Sequence, residues 1–470
     1  MNAASPARLS LSTKLAYSVG NVGIQMLVAA MSFFLMVFLT DVALVAPAVA
    51  GSALMLGKLW DAVNDPLMGW LSDRTRSRHG RRRVYLIYGA LPLGLLAAML
   101  WMMPAGLPPI WAFVWIVVVY TVFDTALTLV QMPYAALSAD MTTDYDERTS
   151  LMAIASVGAL IGYILGSVAM PMMVKSAATP QYGYMLAGGV LGLIVGASVA
   201  FVAWRVHEPA TEARSEAVDA TPWASLASTL KNGPFLTLAS AFGLIRLGLT
   251  IVQMMLVYFV VYQLHEHKEM LPKLMLVLLL MVGISIVFWK WATERWEKNI
   301  TYAAGMMVSA AGIGWTFWIQ PGQLGPMFAC VAVIGIGMGA HWVVPYAMLP
   351  DAIDEGQAAT GERRSGMYLG VFGLFDKLAR TVGAALVGWV LQAFNYVPNV
   401  PQTEEALLGI RIAFGVLPPA FIILAIPLLL AYPITRARHA VVRERLGRRR
   451  QGHAATPSGF GTVSAFGRST

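Results

Sequence analysis

Runs of about 20 apolar residues recur along this 470-residue chain, each long enough for a helix across a hydrocarbon layer of about 30 Å. A chain built this way has few solutions, because backbone amides in lipid must be satisfied inside helices or closed barrels. Barrel strands would alternate over about 10 residues, and these runs do not. Composition agrees: 57% of residues are hydrophobic and 12% charged, against about 25% charged in a soluble domain. The expected fold is an all-α membrane protein with twelve transmembrane helices. Their spans fall near 14–40, 46–73, 84–103, 109–139, 149–174, 182–205, 232–263, 271–293, 300–319, 324–349, 366–394 and 406–434.

Lysine and arginine set the orientation. "RTRSRHGRRR" at 74–83, Arg148, Lys298, Arg363, Arg364 and "RARHAVVRERLGRRR" at 436–450 fall on one side, while the opposite loops 41–45, 103–109 and 320–326 carry neither residue. Both termini are therefore expected in the cytoplasm, in a bacterial-type inner membrane. The net charge of +8 reflects these loops and gives no reason to invoke nucleic acid. The one cysteine, Cys330, excludes an intramolecular disulfide. No signal peptide is expected before the first span. The basic stretch at 436–450 fits anionic lipid headgroups or serves topology alone, and the small polar residues from 451 read as disordered.

The two halves repeat. "WLSDR" at 70–74 answers to "WATER" at 291–295, "PYAALSAD" at 133–140 to "PYAMLPD" at 345–351, and "ERTS" at 147–150 to "ERRS" at 362–365. This divides the chain into a six-helix bundle at 1–205, a linker at 206–230, a second bundle at 231–435 and a tail at 436–470. Duplicated bundles around a midplane site are the mark of a secondary transporter working by alternating access. No Walker loop, HExxH or GxSxG motif is present, so no enzyme activity and no cofactor are expected.

Charges inside the spans mark the site. In "KLWDAVNDPLMG" at 58–69, Asp61 and Asp65 are four residues apart and share a helix face with Lys58. Helical rise puts them about 14–20 Å from the boundary at Arg74. A charge there costs at least ~3 kcal/mol, so it should face an interior cavity with a partner. The pair could hold Na⁺, with Asn64 adding a neutral oxygen, or exchange a proton; a plain ion-pair network with Lys58 is the rival. Lys377 in the eleventh span could face the two acids across the halves, or pair locally with Asp376. Asp73, beside the basic cluster opened by Arg74, reads as part of a cytoplasmic latch with Arg148 and Arg363, or as anchoring only.

With "WDAVNDPLMG" at 60–69, "PYAALSADMTTDYDERTSL" at 133–151, "LPDAIDEGQAATGERRSGMYLG" at 349–370 and Lys377 after it, the chain resembles the glycoside–pentoside–hexuronide:cation symporters of the major facilitator superfamily, which include the bacterial melibiose permease. The resemblance implies a cation site at Asp61, Asn64, Asp65 and Thr128, with Lys377 approaching it. It does not extend to the sugar residues. Gln25 and Gln131 stand where that permease has aspartates, Ala135 where it has a tryptophan, and Ser156 where it has an arginine.

Two other residues are candidates for the solute. Asp124 lies two turns from Gln131 on roughly the same face, and Arg246 lies near mid-membrane in the seventh span. Arg246 either recognises a carboxylate or phosphate or bridges to Asp124 or Asp376. Among Trp115, Tyr120, Tyr258, Tyr262, Trp315 and Trp342, most suit the membrane interface, leaving Tyr120 and Trp342 as cavity candidates. The expected function is symport of a sugar, glycoside or hexuronide-like small molecule with Na⁺ or H⁺, by a monomer in contact with membrane lipids. The neutral oxygens of Asn64 and Thr128 favour Na⁺. The rivals are a lysophospholipid carrier of the same fold, like animal relatives that share the Pro-Tyr motif, and a non-transporting sensor or assembly factor.

Overall fold

The computed structural model describes residues 9–75, 77–142, 145–206, 229–267, 270–360 and 365–454. Membrane-length helices run in sequence, their starts set by local chemistry. Ser10, Thr179, Asn232 and Thr403 cap helix N-termini through their side chains, and Pro47, Pro109 and Pro180 occupy first helical positions, where no amide donor is needed. The first bundle comprises α1 (Leu11–Val37), α2 (Pro47–Leu59), α3 (Asp61–Arg74), α4 (Arg83–Met99), α5 (Pro109–Met141), α6 (Tyr145–Ser176) and α7 (Pro180–Arg205). The second comprises α8 (Gly233–Tyr258), α9 (Met270–Arg295), α10 (Lys298–Trp315), α11 (Leu324–Thr360), α12 (Ser365–Ala393), α13 (Glu404–Gly415) and α14 (Leu417–Leu430). α2 and α3 form one span interrupted at Trp60, and α13 and α14 another interrupted at Val416. With these paired, the helices make twelve spans. Pseudo-symmetry is visible in the backbone: the first helix of each bundle ends in a π-helical turn, Phe38–Val42 after α1 and Phe259–Gln263 after α8.

Eight of these helices are long and apolar enough to cross a membrane on composition alone. α12 is not among them, since it carries Asp376, Lys377 and Arg380 in its middle. Polar content there marks the helix that faces the interior. A last helix, α15 (Arg436–Ala454), follows the second bundle. It docks through Arg438 on Glu355, 2.5 Å, and through His439 beside Asp354, 3.3 Å. The helix continues past the expected start of disorder at 451. Most of the expected linker, 207–228, and the tail from 455 lie outside the described residues.

Small residues allow close helix approach where lipid offers no hydrophobic drive. Gly158, Gly162 and Gly166 on α6 lie against Ser18, Val22 and Met26 of α1, and a Cβ at Gly162 would fall 2.2 Å from the Val22 carbonyl oxygen. Gly162→Ala should therefore force the helices apart. The expected loss is about 1–3 kcal/mol, read as a lowered melting temperature of the purified protein. Gly283→Ala, where nothing lies within 4 Å, should melt no lower than the parent. Equal melting of the two variants would refute the close packing.

The two bundles meet at the end remote from the basic loops. There Gly388 of α12 packs on Pro47 and Gly51 of α2, and Trp389 Nε1 donates to Ser52 Oγ, 3.0 Å. One hydrophobic cluster unites the first bundle with that end of the second, including Met254–Val260 and Val387–Leu391. Most α8 residues toward the basic loops, among them Phe235, Leu238, Phe242, Ile245 and Leu249, pack in a separate cluster confined to the second bundle. The molecule is thus sealed at its far end, and its cores part toward the basic end.

Candidate functional site

Between the bundles lies a cavity of about 290 Å³. Its walls come from α1 (Gln25), α2 and α3 (Lys58, Asp61), α5 (Tyr120, Asp124, Thr128, Gln131), α8 (Gln253) and α12 (Asp376, Lys377, Arg380). The interruption at Trp60 falls between Lys58 and Asp61. Trp60 Nε1 donates to Thr125 Oγ1, 2.9 Å, which ties the interruption to α5.

The charges form an alternating ladder. Lys58 Nζ lies 2.8 Å from Asp124 Oδ1 and 2.7 Å from Asp61 Oδ2. Lys377 Nζ, arriving from the opposite bundle, lies 3.4 Å from the same Asp61 oxygen and also pairs with Asp65 Oδ2. Thr128 Oγ1 donates to Asp65 Oδ1, 3.3 Å. The order is Asp124, Lys58, Asp61, Lys377, Asp65. Three carboxylates alternate with two ammonium groups, leaving one formal negative charge. Asp61, Asn64 and Asp124 are at most 2% exposed. Asp61 Oδ1 and both polar side-chain atoms of Asn64 have no hydrogen-bond partner among the described residues. Such buried oxygens are costly unless something takes them, and a monovalent cation would. The groups that could hold one are the Asp61 and Asp65 carboxylates, which share Lys377, and the Thr128 hydroxyl on Asp65. Among the described residues no group of three or more His, Cys, Asp or Glu is arranged to hold a metal ion.

A second cluster sits one residue along α12. Asp376 Oδ1 faces Arg246 Nε at 2.8 Å, and Asp376 Oδ2 accepts from Arg380 Nε, 2.9 Å, with Arg380 Nη2 at 2.7 Å. Of the two arginines, Arg380 lines the cavity and Arg246 braces Asp376 from behind.

Several choices left open by the sequence close here. Arg246 is given to Asp376 and is not in the cavity wall, because α8 and α12 pack side by side at that level. Lys377 reaches across to Asp61 and Asp65, and Asp376 takes the arginines instead. Lys58 bonds Asp61 and Asp124. Trp342 is 51% exposed and lines a separate apolar recess of about 50 Å³; its neighbour His341 is the residue that turns inward, onto Tyr302 at 2.8 Å. Tyr120 does line the cavity, with Lys58 Nζ 5.9 Å from its ring centroid. Gln25 and Gln131 both face it. The side chains of Asp73, Arg74 and Arg148, and all of Arg363, lie outside the described residues.

Sequence reasoning missed a polar seal at the far end. Asp41 Oδ1 accepts from Thr40 Oγ1 and Tyr396 OH, both 2.7 Å, and Asp41 Oδ2 from Tyr262 OH, 2.6 Å. Asn399 Nδ2 donates to the Asp41 carbonyl, 2.5 Å, and Tyr258 OH lies 2.7 Å from Thr40 Oγ1. Tyr258 is fully buried, so it and Tyr262 are seal residues here and not lipid-interface anchors. The available signal was Asp41 itself, an acid at a helix end without a basic neighbour.

Two matched helical bundles around a charged midplane cavity define a secondary transporter of the major facilitator type. The chain belongs to the MFS/sugar transport protein family, whose model matches residues 16–436. It is 27% identical to an uncharacterized symporter of Synechocystis sp., over 95% of this chain and 98% of the relative. It is 24% identical to sodium-dependent lysophosphatidylcholine symporter 1-A of Danio rerio, over 93% and 88%. Among solved structures the nucleoside transporter NupG superposes with a TM-score of 0.64 at 11% identity, covering 90% of this chain and all of that one, which speaks to fold alone. The protein is a multi-pass membrane transporter and not an enzyme.

Proposed function

We propose that the protein is a symporter that carries a sugar, glycoside or hexuronide-like solute with Na⁺ or H⁺ by alternating access. In this reading it works as a monomer in a bacterial-type inner membrane, with the basic loops and both termini cytoplasmic. The structure is then the inward-facing state. The observation that carries the reading is the position of Lys377: an ammonium from one bundle sits between two carboxylates of the other, in a cluster with one negative charge to spare. A cation entering at Asp61 and Asp65 takes over that partnership and frees the bundles to rearrange around the solute. Asn64 and Thr128 supply the neutral oxygens a metal ion needs, which supports Na⁺ over H⁺. The sodium dependence printed for the Danio rerio relative supports it as well.

A second reading keeps the mechanism and changes the cargo. The apolar recess lined by Tyr163, Leu256, Met275 and Trp342 shares Gln253 with the charged cavity. An amphiphile could place its headgroup in one and its chain in the other, as the lysophosphatidylcholine relative's name invites.

A thermal-shift panel of neutral glycosides, hexuronides and a lysophospholipid, each with NaCl or choline chloride at equal ionic strength, separates the readings. Ligands of the folded state raise the melting temperature. At least one solute should show a shift that grows with Na⁺. If the same panel, repeated across pH, shows no shift altered by either Na⁺ or pH, it would contradict symport and favour a non-transporting role.

A further inference from the structure

The cavity holds two clusters of opposite formal sign, and only the negative one belongs to the cation site. The other is Arg246, Asp376 and Arg380: two guanidinium groups on one carboxylate, leaving one positive charge. His341 is engaged by Tyr302, and no further acid pairs with these arginines among the described residues. We infer that Arg380 is an anion-binding residue, and that the transported solute carries a carboxylate or phosphate that docks on it. This rests on the symport reading above and adds the substrate's charge to it.

The geometry assigns each member a part. Asp376 receives Nε and Nη2 of Arg380 on a single oxygen, 2.9 and 2.7 Å. That holds the guanidinium plane and leaves Nη1 with no partner among the described residues. Arg380 lines the cavity while Arg246, on the far oxygen of Asp376, does not. Arg246 and Asp376 are therefore positioning residues. A planar fork with donors to offer is the group suited to carboxylate and phosphate oxygens. From the first bundle, Gln25 and Gln131 line the same cavity and offer uncharged hydrogen-bonding groups, which suit hydroxyls.

Charge arithmetic links this subsite to coupling. The ladder has three acids and two lysines, the triad one acid and two arginines, so the whole set is formally neutral. A bound monovalent cation makes it +1, and a bound monoanion restores neutrality. Each ligand thus lowers the electrostatic cost of the other, a reciprocal coupling that a neutral solute would not supply.

The test uses the purified full chain in lipid nanodiscs, as parent and as Arg380→Gln and Arg380→Lys. Probes come in matched pairs: glucuronate against glucose, glucose 6-phosphate against glucose, and lysophosphatidate against monoacylglycerol. The pairs also tell a soluble anion from a lipid headgroup. Each is read as a melting shift with and without NaCl. The expected result is a shift confined to anionic members, larger in NaCl, lost in Arg380→Gln and at least tenfold weaker in apparent affinity in Arg380→Lys. The shift given by NaCl alone should persist in both variants, which shows that they fold and that the cation site is intact. Equal shifts by neutral and charged partners, anion shifts that survive Arg380→Gln, or no anion shift in the parent would each overturn the inference. If the NaCl shift persists in those cases, the symport reading stands; loss of the NaCl shift in the parent itself would instead remove that reading.

Discussion

Asp65→Asn should abolish cation-driven accumulation while leaving the protein folded. Asp65 receives Lys377 from the opposite bundle and a hydrogen bond from Thr128. The amide keeps the shape and loses the charge. The ladder then holds two carboxylates and two ammonium groups, formally neutral, so the reason for a cation to enter is gone. At an effective dielectric of about 20, a unit charge 4 Å away contributes about 4 kcal/mol. Cation affinity should therefore fall by two orders of magnitude or more, since 1.4 kcal/mol is tenfold. In proteoliposomes with an imposed Na⁺ gradient, the parent should concentrate solute and the variant should at most equilibrate it. Concentrative uptake at the parent's rate by Asp65→Asn would remove Asp65 from the site.

Asp41→Ala should open the far end. The Asp41 carboxylate gathers Thr40, Tyr262 and Tyr396, and its carbonyl takes Asn399. Asp41 belongs to the first bundle and Tyr262, Tyr396 and Asn399 to the second. Hydrogen bonds to a charged acceptor are worth about 1.5–3 kcal/mol each. Those that cross between bundles are made only while this end is closed, so they bias the equilibrium without being needed for folding. Losing two of them should shift the population by about 3 kcal/mol, more than a hundredfold. Spin labels at Leu44→Cys and Val397→Cys, both exposed positions flanking the seal, would report it. The parent should give a single short distance and Asp41→Ala a longer, dominant one. An unchanged distance distribution would mean that the apolar packing of Gly388 on α2 closes this end by itself.

What could be read from the sequence follows from how local each feature is. The spans were legible because length and apolarity are properties of one segment. The acids on α3 were legible because four residues place Asp61 and Asp65 on one face whatever surrounds them. Choices between partners were not. Whether Arg246 meets Asp124 or Asp376 depends on how α8 is rotated and which helix packs beside it, and the helix pattern alone permits either. One residue is about 100° of rotation on a helix, which separates the buried His341 from the exposed Trp342. The Asp41 seal joins residues more than 200 positions apart near helix ends, where periodicity is weakest. Arg380 is not legible as a site residue, because Asp376 four residues before it makes an ordinary helical ion pair; only the second arginine on that acid leaves a charge to spare.

The most direct measurement is Na⁺ titration of the purified chain by calorimetry, comparing the parent with Asp65→Asn and Lys377→Gln. If Asp61 and Asp65 hold the cation and Lys377 stands in for it, the two variants should move in opposite directions. Asp65→Asn should lose the binding heat. Lys377→Gln, with a competitor removed and the ladder at two negative charges, should bind Na⁺ about tenfold more tightly or better, a difference of ~1.4 kcal/mol, even though it no longer couples the bundles. Binding by Asp65→Asn equal to the parent's, or weaker binding by Lys377→Gln, would contradict the account.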